Sequence, residues 1–397
     1  MITDIREQYN QLFASTRYQE LLDSIAERFN HRPPFKIAET PVFVPRALKD
    51  KLFQACEEIT DVICRPDFKE RSKGAILAGQ VVPNEDEHTI FLQMDFGICR
   101  DENGELTPQL IEVQGFPSLY FFQDHLAAAY RKYFDIPDNY THLFNGLTPE
   151  TYLDLLKRTI VGDSNPENVI LLEVEPEKQA TYIDFVCGEA LLGVKTKCVS
   201  ELMVEGKDLY YLNEQGRKVG VEKIVNRVIF DELIKRDDIK RNFYFTKEAN
   251  VKWVGHPHWF FRISKHTLPL LDSQYVPKSI FLNDLEEIPE DLHNYVLKPL
   301  YSFAGTGVVI NLNRFDIEAI TDKENYILQR KVSYAPIIKT PDQFAKCELR
   351  MLMLWEPGAD RPKMVNNLAR ISKGEMIGVR YNKGKNWVGG SVGFFEQ

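Results

Sequence analysis

YVLKPLYSFAGTGVVI, residues 295–310, is an apolar run ending in Lys298, then a small-residue turn with Ala304, Gly305 and Gly307, then the apolar run Val308–Ile310. The pattern reads as two strands joined by a flexible loop. Such a loop lets backbone N–H groups approach an anion closely, because no Cβ stands in the way. Lys298, at the end of the incoming strand, adds positive charge beside that anion, and the simplest ligand of this kind is a nucleotide polyphosphate. The Walker pattern G-x-x-x-x-G-K-[ST] is absent from the chain. A plain β-hairpin with a glycine turn and a surface lysine fits the same stretch.

The chain of 397 residues is long enough for two or three domains with ample core. Its 44% hydrophobic and 27% charged residues are those of a soluble globular protein. The formal net charge of -9 argues against a general nucleic-acid binder, which shows a basic face. Six cysteines are scattered without C-x-x-C or zinc spacing, as expected of reduced thiols in a cytoplasmic protein. No basic segment followed by an apolar stretch opens the chain, so no signal peptide is expected. No apolar run reaches membrane-spanning length, and no membrane partner is expected.

Around the decisive stretch, periodicity sets the remaining elements. Residues 1–30 read as helix, with Ile5, Tyr9 and Phe13 and then Tyr18, Leu21, Leu22, Ile25 and Phe29 at spacings of three and four. RPPF at 32–35 breaks it, and a helix over 47–64 starts near Pro45. Residues 75–80 read as extended. IFLQMDFGI (90–98) and LIEVQ (110–114) form a hairpin around DENG (101–104), with a helix over about 119–133. NVILLEVEP (168–176), a helix through 178–191 and TKCVS (196–200) make a strand–helix–strand unit of a parallel, doubly wound sheet, joined by KIVNRVIFDEL (223–233). Loops and helices alternate over 251–290. The last hundred residues are strand-rich: YVLKP, GVVIN, YILQRKV, ELRMLMLW and MVNNLARIS.

Several polar residues fall where chemistry is expected. Glu112 and Gln114 are two apart on a strand and share a face, and the partner strand can bring Asp95 to it. Two carboxylates and an amide oxygen suit magnesium shared with phosphates; an ordinary solvated hairpin face is the alternative. Arg350 shares a face with Glu348, opposite Leu349 and Met351, and Arg370 sits on another alternating strand. Arginines so placed suit phosphate or carboxylate clamping, or structural salt bridges. The tail YNKGKNWVGGSVGFF (381–395) reads as a loop closing on a ligand or as a flexible end. His256 and His258 lack a third metal ligand, and Cys99 lacks a histidine partner for nucleophilic work.

Taken together, these segments resemble the ATP-grasp superfamily, in particular its circularly permuted branch with the eukaryotic-type glutathione synthetases. YVLKPLYSFAGTGVVI resembles the lysine strand and phosphate loop. RISKHTL (262–268) resembles the upstream segment supplying a first nucleotide lysine, here Lys265. YILQRKV (326–332) resembles the hinge strand whose backbone reads adenine. ELRMLML, LARIS and WVGGSVGFF resemble the catalytic-core strands and closing glycine loop, and LQMDFGI with LIEVQG resembles the metal-binding strand pair, here preceding the lysine strand as in the permuted branch. The segment from VILLEVEPEKQ to VNRVIFDEL resembles the substrate domain. Residues 1–84 match nothing nameable. Three departures stand out: Gln114 replaces the usual asparagine, Ser302, Phe303 and Ala304 replace some loop glycines, and SYAP follows the hinge where an acidic metal ligand is usual.

The resemblance implies an α/β (α+β) fold with a permuted ATP-grasp core and a Rossmann-like substrate domain. The implied division is a helical region over 1–84, the metal-binding hairpin and helix over 85–150, the substrate domain over 151–250 and the nucleotide-binding core over 251–397. It implies an ATP-dependent carboxylate–amine ligase working through an acylphosphate, with ATP and Mg2+ as cofactors. Lys265, Lys298, Ser302, Gly305, Gly307, Gln329, Lys331 and Val332 would contact the nucleotide. Asp95, Glu112 and Gln114 would hold the metal, Arg350 and Arg370 would be catalytic, and Arg227, Ser118, Gly389 and Gly390 would contact substrate. The expected partners are a small-molecule carboxylate and amine, with a homodimer compatible. A small-molecule kinase and a non-catalytic nucleotide-binding protein remain as rivals; a glutathionylspermidine-type bifunctional enzyme would need a Cys/His amidase domain that the chain does not offer.

Overall fold

The computed structural model describes residues 2–302 and 305–397, so Phe303 and Ala304 of the small-residue turn lie outside the described residues. The longest alternating stretches make the central sheet. Its strands run antiparallel in the order Gly389–Ser391, Lys363–Ser372, Phe344–Leu354, Phe91–Arg100 and Leu106–Gln114, with the short strand Ile338–Lys339 also on Phe344–Leu354. Alternation gives this sheet two unlike faces. Leu92, Met94 and Phe96 line one with Leu349, Met351 and Met353, and pack in one core with Leu48, Leu52, Ala55 and Ile59 of the helix Arg46–Ile63. Those helix positions recur at three and four, which keeps one stripe against the sheet. Each of the Leu, Ile, Met and Phe side chains contributes about 1.5–3 kcal/mol on burial. The opposite face carries Gln93, Asp95, Glu112, Glu348, Arg350 and Arg370, brought side by side by the register.

A second sheet is wholly parallel, in the order Lys252–Val254, Lys223–Asn226, Val169–Glu173 and Lys195–Cys198. Val169–Glu173 is buried at every position, as a strand covered on both faces must be. The chain crosses to Lys195–Cys198 through the helix Tyr182–Leu192, which ends at Gly193 with φ 74. It then passes back over to Lys223–Asn226, on the other side of the first strand. The carboxyl ends of Val169–Glu173 and Lys223–Asn226 therefore flank a crevice where the winding reverses. A meander of Met203–Glu205, Asp208–Leu212 and Lys218–Gly220 is inserted between these crossovers.

The third sheet carries Lys298 and corrects the reading of its stretch. Tyr295–Pro299 pairs with Tyr326–Arg330, which pairs in turn with Ser279–Phe281. Val308–Ile310 does not form a paired strand; Leu297 and Val309 make a single bridge. The chain leaves because Asn313 caps the helix Arg314–Glu318 only three residues after Ile310.

Other local expectations also shift. The N-terminal helix is two helices, Thr3–Leu12 and Ser15–Phe29, with Phe13 and Ala14 extended between them. The break lets the Phe13 ring stack on Phe134 at 5.8 Å and meet Trp387 at 4.6 Å. Residues 75–80 are not extended: Lys73–Ala75 is a 3-10 turn, and Gly79 turns the chain at φ 75. Among the described residues no helix is long and apolar enough to cross a membrane.

The largest correction concerns the last residues. Gly393–Glu396 is the middle strand of a small sheet, parallel to Val42–Val44 and antiparallel to Tyr140–Thr141. Val388, Val392, Phe394 and Phe395 are fully buried. Gly390 donates to the Lys36 carbonyl at 2.8 Å, and a Cβ at Gly389 would come within 2.3 Å of that oxygen. These residues are thus core that stitches the N-terminal region to the central sheet, not a flexible end. Removing residues 388–397 is accordingly expected to abolish cooperative unfolding, and Phe394→Ala to cost about 3–5 kcal/mol. Urea denaturation followed by circular dichroism checks both; a truncated chain with an intact transition would contradict this placement.

Candidate functional site

On the polar face of the central sheet, register sets Asp95 between Glu112 and Arg350, and Glu348 between Gly97 and Arg370. The result is a continuous ionic chain. Arg350 donates to both oxygens of Asp95, Nε to Oδ1 at 2.5 Å and Nη2 to Oδ2 at 2.7 Å, and its Nη1 reaches Gln93 at 3.0 Å. Arg370 Nη2 donates to Asp95 Oδ2 at 2.6 Å and also to Glu348 Oε1. The Tyr334 hydroxyl donates to Glu348 Oε2 at 3.0 Å. Gly97 makes room for that ring, since a Cβ there would stand 2.7 Å from Tyr334 and 3.0 Å from Val332. Burial by itself would raise the Asp95 carboxyl, but the guanidiniums of Arg350 and Arg370 outweigh it and hold it below the ordinary carboxylate value. Burial raises Glu348, against the pull of Arg370.

This arrangement corrects the metal reading of Asp95. Its side chain is 0% exposed and both oxygens are taken by guanidiniums. It is a structural counter-ion rather than a magnesium ligand. Gln114 donates its amide to Glu112 Oε1, so the two share a face as expected but are bonded to each other. Among the described residues no group of three or more His, Cys, Asp or Glu side chains could hold a metal. The residues present do not fit the three-ligand magnesium set.

Of the expected nucleotide residues, Lys298 and Gln329 share a sheet and Lys265 meets Ser302. Lys298 is buried, donates to the Ile111 carbonyl at 2.9 Å, and shares the inner face of its sheet with Val296, Ile327 and Gln329. Burial lowers its ammonium to about 8, with nearby Glu112 opposing the shift and Lys265 adding to it. Lys265 donates to the Ser302 carbonyl and, at 3.2 Å, to its hydroxyl. Gly305 and Gly307 follow with φ 75 and 73, values that favour glycine. Gln329 is 1% exposed and its Nε2 has no partner, a donor available to a ligand between the sheets. The hinge backbone is less open than expected. Gln329 lies within the middle strand, and the Lys331 N–H is spent on the Asn294 carbonyl at 2.7 Å. Val332 lies just beyond the strand. Glu112, Gln114, Lys265 and Ser302 line a cleft together with Phe116 and Phe230.

The substrate residues do not gather at one point. Gly389 and Gly390 pair with Ile371 and Arg370 on one side and meet Lys36 on the other, so their backbone is structural, not a substrate contact. Ser118 is buried ahead of the helix Phe122–Tyr133, its carbonyl accepting from Gln93 Nε2 at 3.3 Å. Arg227 stands at the reversal point of the parallel sheet, bonded to Asp184 at 3.1 Å and Thr181 at 3.2 Å, with its Nε buried and unpartnered. Glu173, at the end of the neighbouring strand, was not singled out from the sequence, though the acidic close of the apolar run VILLE marks it. Burial pushes its carboxyl up to about 7, with Arg227 partly opposing. Tyr334 carried no sequence signal at all. His256 and His258 are structural: His258 accepts from Val82 N at 2.8 Å and bonds Glu85 at 2.8 Å, and His256 bonds the Pro83 carbonyl at 3.1 Å. Burial pushes the Cys99 thiol up to about 12, away from nucleophilic use.

No family model matches the chain, and no curated protein matches it. Among solved structures, a glutathione synthetase like-effector from Globodera pallida, in its apo form, superposes with a TM-score of 0.60 over 100% of this chain and 99% of that one, at 11% identity. The two share an overall fold along their whole length. A Methylobacillus flagellatus protein provisionally described as a gamma-glutamylcysteine synthetase gives 0.37 at 12% identity, covering 85% of each chain, too distant to carry an argument.

Two outcomes follow for stability. Asp95→Ala strands two guanidiniums and is expected to cost about 3–5 kcal/mol, whereas the more exposed Glu112→Gln should cost far less. Asp95 has a depressed folded value, so its contribution is present above its unfolded value of about 3.9 and is lost as pH falls through the folded one. Glu173 has the opposite sign. Its folded value, about 7, lies above the ordinary value of 4.5, so its contribution is full below 4.5 and lost as pH rises through 7. Glu173→Gln should therefore be more stable than the parent at pH 8 and should flatten the slope between pH 5 and 8. Urea midpoints at three pH values read both effects; an unchanged slope for Glu173→Gln would refute the second.

Proposed function

We propose that the protein is an ATP-dependent carboxylate–amine ligase with a circularly permuted ATP-grasp core, forming an amide through an acylphosphate. The observation that carries the reading is the pairing of two lysines from separate elements: Lys298 lies near enough to Lys265, Glu112 and the Asp95 and Glu348 carboxylates of the central sheet to feel their charge, and Lys265 bonds Ser302, which precedes the positive-φ Gly305 and Gly307. The whole-chain likeness in fold to a glutathione synthetase like-effector supports the architecture.

Phosphoryl transfer asks a protein mainly for positioning and charge neutralisation. Lys298 and Lys265 would neutralise phosphate oxygens, and the backbone at Gly305 and Gly307 would approach them without a side chain intervening. The arginines divide their work. Arg350 is locked on Asp95 and orients it. Arg370, whose side chain is 35% exposed, reaches the open face and would meet the charge that develops on the acyl group. Glu112 and Gln114 would face the same phosphates, but no step is routed through a protein-held magnesium. A carboxylate substrate supplies its own nucleophile, so no activated side chain is needed.

A second reading, a nucleotide-binding protein without turnover, is favoured by the engagement of Asp95 with two arginines. A kinase would leave the phosphate on its product. Assaying the purified chain with ATP, Mg2+ and a panel of carboxylates and amines separates the three. A ligase releases ADP and orthophosphate only when both substrates are present, a kinase keeps phosphate on the acceptor, and a binder gives neither.

Lys298→Ala should weaken ATP binding by about ten- to a hundredfold, the scale of a charge-assisted contact worth about 1.5–3 kcal/mol. Lys298 is charged below its value of about 8 and neutral above it. ATP affinity should therefore drop between pH 7 and 9 in the parent and stay level in Lys298→Ala. Calorimetric titration measures both, and parallel pH profiles would show that Lys298 does not meet the phosphates.

A further inference from the structure

The cleft beside Ser302 has two chemically unlike sets of lining residues. Glu112, Gln114, Lys265 and Ser302 form the polar one. The other is Phe116, Ile229, Phe230, Phe260, Phe261 and Tyr301. The single hydroxyl among them, on Tyr301, donates to the Ala75 carbonyl at 2.9 Å and so is spent on the protein.

These walls come from four separate parts of the fold, Tyr301 following the strand Tyr295–Pro299. Phe116 leaves the central-sheet hairpin, Ile229 and Phe230 leave the third strand of the parallel sheet, and Phe260 and Phe261 lie on the helix Pro257–Arg262. Their rings hold one another in place. Phe116 meets Phe260 edge-on at 5.3 Å, Phe261 lies 6.1 Å from Phe230, and Tyr301 lies 6.0 Å from Phe261. The Arg227 guanidinium backs the Phe116 ring at 5.2 Å. The slot is therefore preformed rather than a gap that side chains could collapse into. The cleft as a whole, its polar lining included, has a volume of about 40 Å³, well below the ~150 Å³ that accommodates a benzene ring. An apolar wall also gives water few partners, so displacing it there favours an apolar group.

We propose that the apolar lining receives a short aliphatic group of the substrate whose reacting carboxylate or amine meets the polar lining. The substrate class is a small aliphatic amino acid or similarly branched amine or carboxylate, in preference to an unsubstituted, strongly polar or aromatic one. The inference rests on the ligase reading for the chemistry of the polar lining, and on the cleft itself for the apolar preference.

The test titrates glycine, alanine, 2-aminobutyrate, norvaline, norleucine and phenylalanine, by calorimetry and saturation-transfer NMR. Each is added to the full chain alone and to the chain with Mg2+ and a non-hydrolysable ATP analogue. Affinity is expected to rise about fourfold per methylene, equivalent to ~0.8 kcal/mol, up to 2-aminobutyrate or norvaline, then to level off and fall for phenylalanine. Ile229→Trp, which fills the slot from a half-buried position, should flatten the series while circular dichroism shows the parent fold. Strengthening with chain length in either condition, lost in Ile229→Trp, supports the proposal. A flat series, glycine or phenylalanine as the tightest ligand, or no binding of any member overturns it. Failure of the ATP analogue to bind counts against the ligase reading alone, because the series without nucleotide is read independently.

Discussion

Asp95 is the point on which the central sheet's polar face is built. Its carboxylate, fully buried, takes three hydrogen bonds from Arg350 and Arg370. Removing such charges from water costs several kcal/mol per ion, and only close geometry with saturated hydrogen bonding offsets it. Here the saturation extends outward, from Arg370 to Glu348 and from Glu348 to Tyr334. Each link needs the strands in one register, because a slip of one residue would exchange this face with Met94, Leu349 and Met351. The network is thus better understood as a specifier of pairing than as a source of net stability. It also leaves one cation, Arg370, at the edge of the face where a ligand can reach it.

Around that face the chain closes on itself. The strand Gly393–Glu396 joins Val42–Val44 to Tyr140–Thr141, so residues some 350 positions apart share one ladder. The helix Arg46–Ile63 then covers the apolar side of the central sheet. With one side sealed, the opening is confined to the charged side, between the central sheet and the sheet that carries Lys298. The depressed ammonium of Lys298 reflects the same confinement: it is held by the Ile111 carbonyl and neighbouring Glu112 inside a region that burial makes costly for charge.

The cleft takes its character from several units that meet there. The hairpin supplies Glu112 and Gln114, the 3-10 turn Lys265–Leu270 supplies Lys265, and Phe116, the exit of the parallel sheet, the helix Pro257–Arg262 and Tyr301 supply the apolar wall. Polar groups and interlocked rings in one cleft are what orient a small amphiphilic molecule. The reversal point of the parallel sheet lies just behind, where Glu173, Asp184 and Arg227 share a buried region and two of their polar neighbours, Asn226 Nδ2 and Arg227 Nε, are unpartnered.

Local pattern was enough to give much of this. Two-residue alternation in LQMDFGI, ELRMLML and NNLARIS identified the strands and put Glu348 with Arg350 on one face, because side-chain direction in a strand depends on position parity alone. The apolar run NVILLE, a helix and TKCVS gave the parallel unit, since only a strand covered on both sides tolerates such a run. Pairing across distance was not legible. Nothing local in YVLKP says that it joins YILQR rather than GVVI, and nothing in GFFE says that it inserts between two segments from the start and middle of the chain. The same holds for charge. Asp95 looked like a metal ligand because its strand and parity were visible, while its two arginine partners arrive from strands more than 250 residues away. Sequence determined which faces carry charge; tertiary structure alone decided which charges neutralise one another, because that depends on register between segments that the chain brings together only on folding.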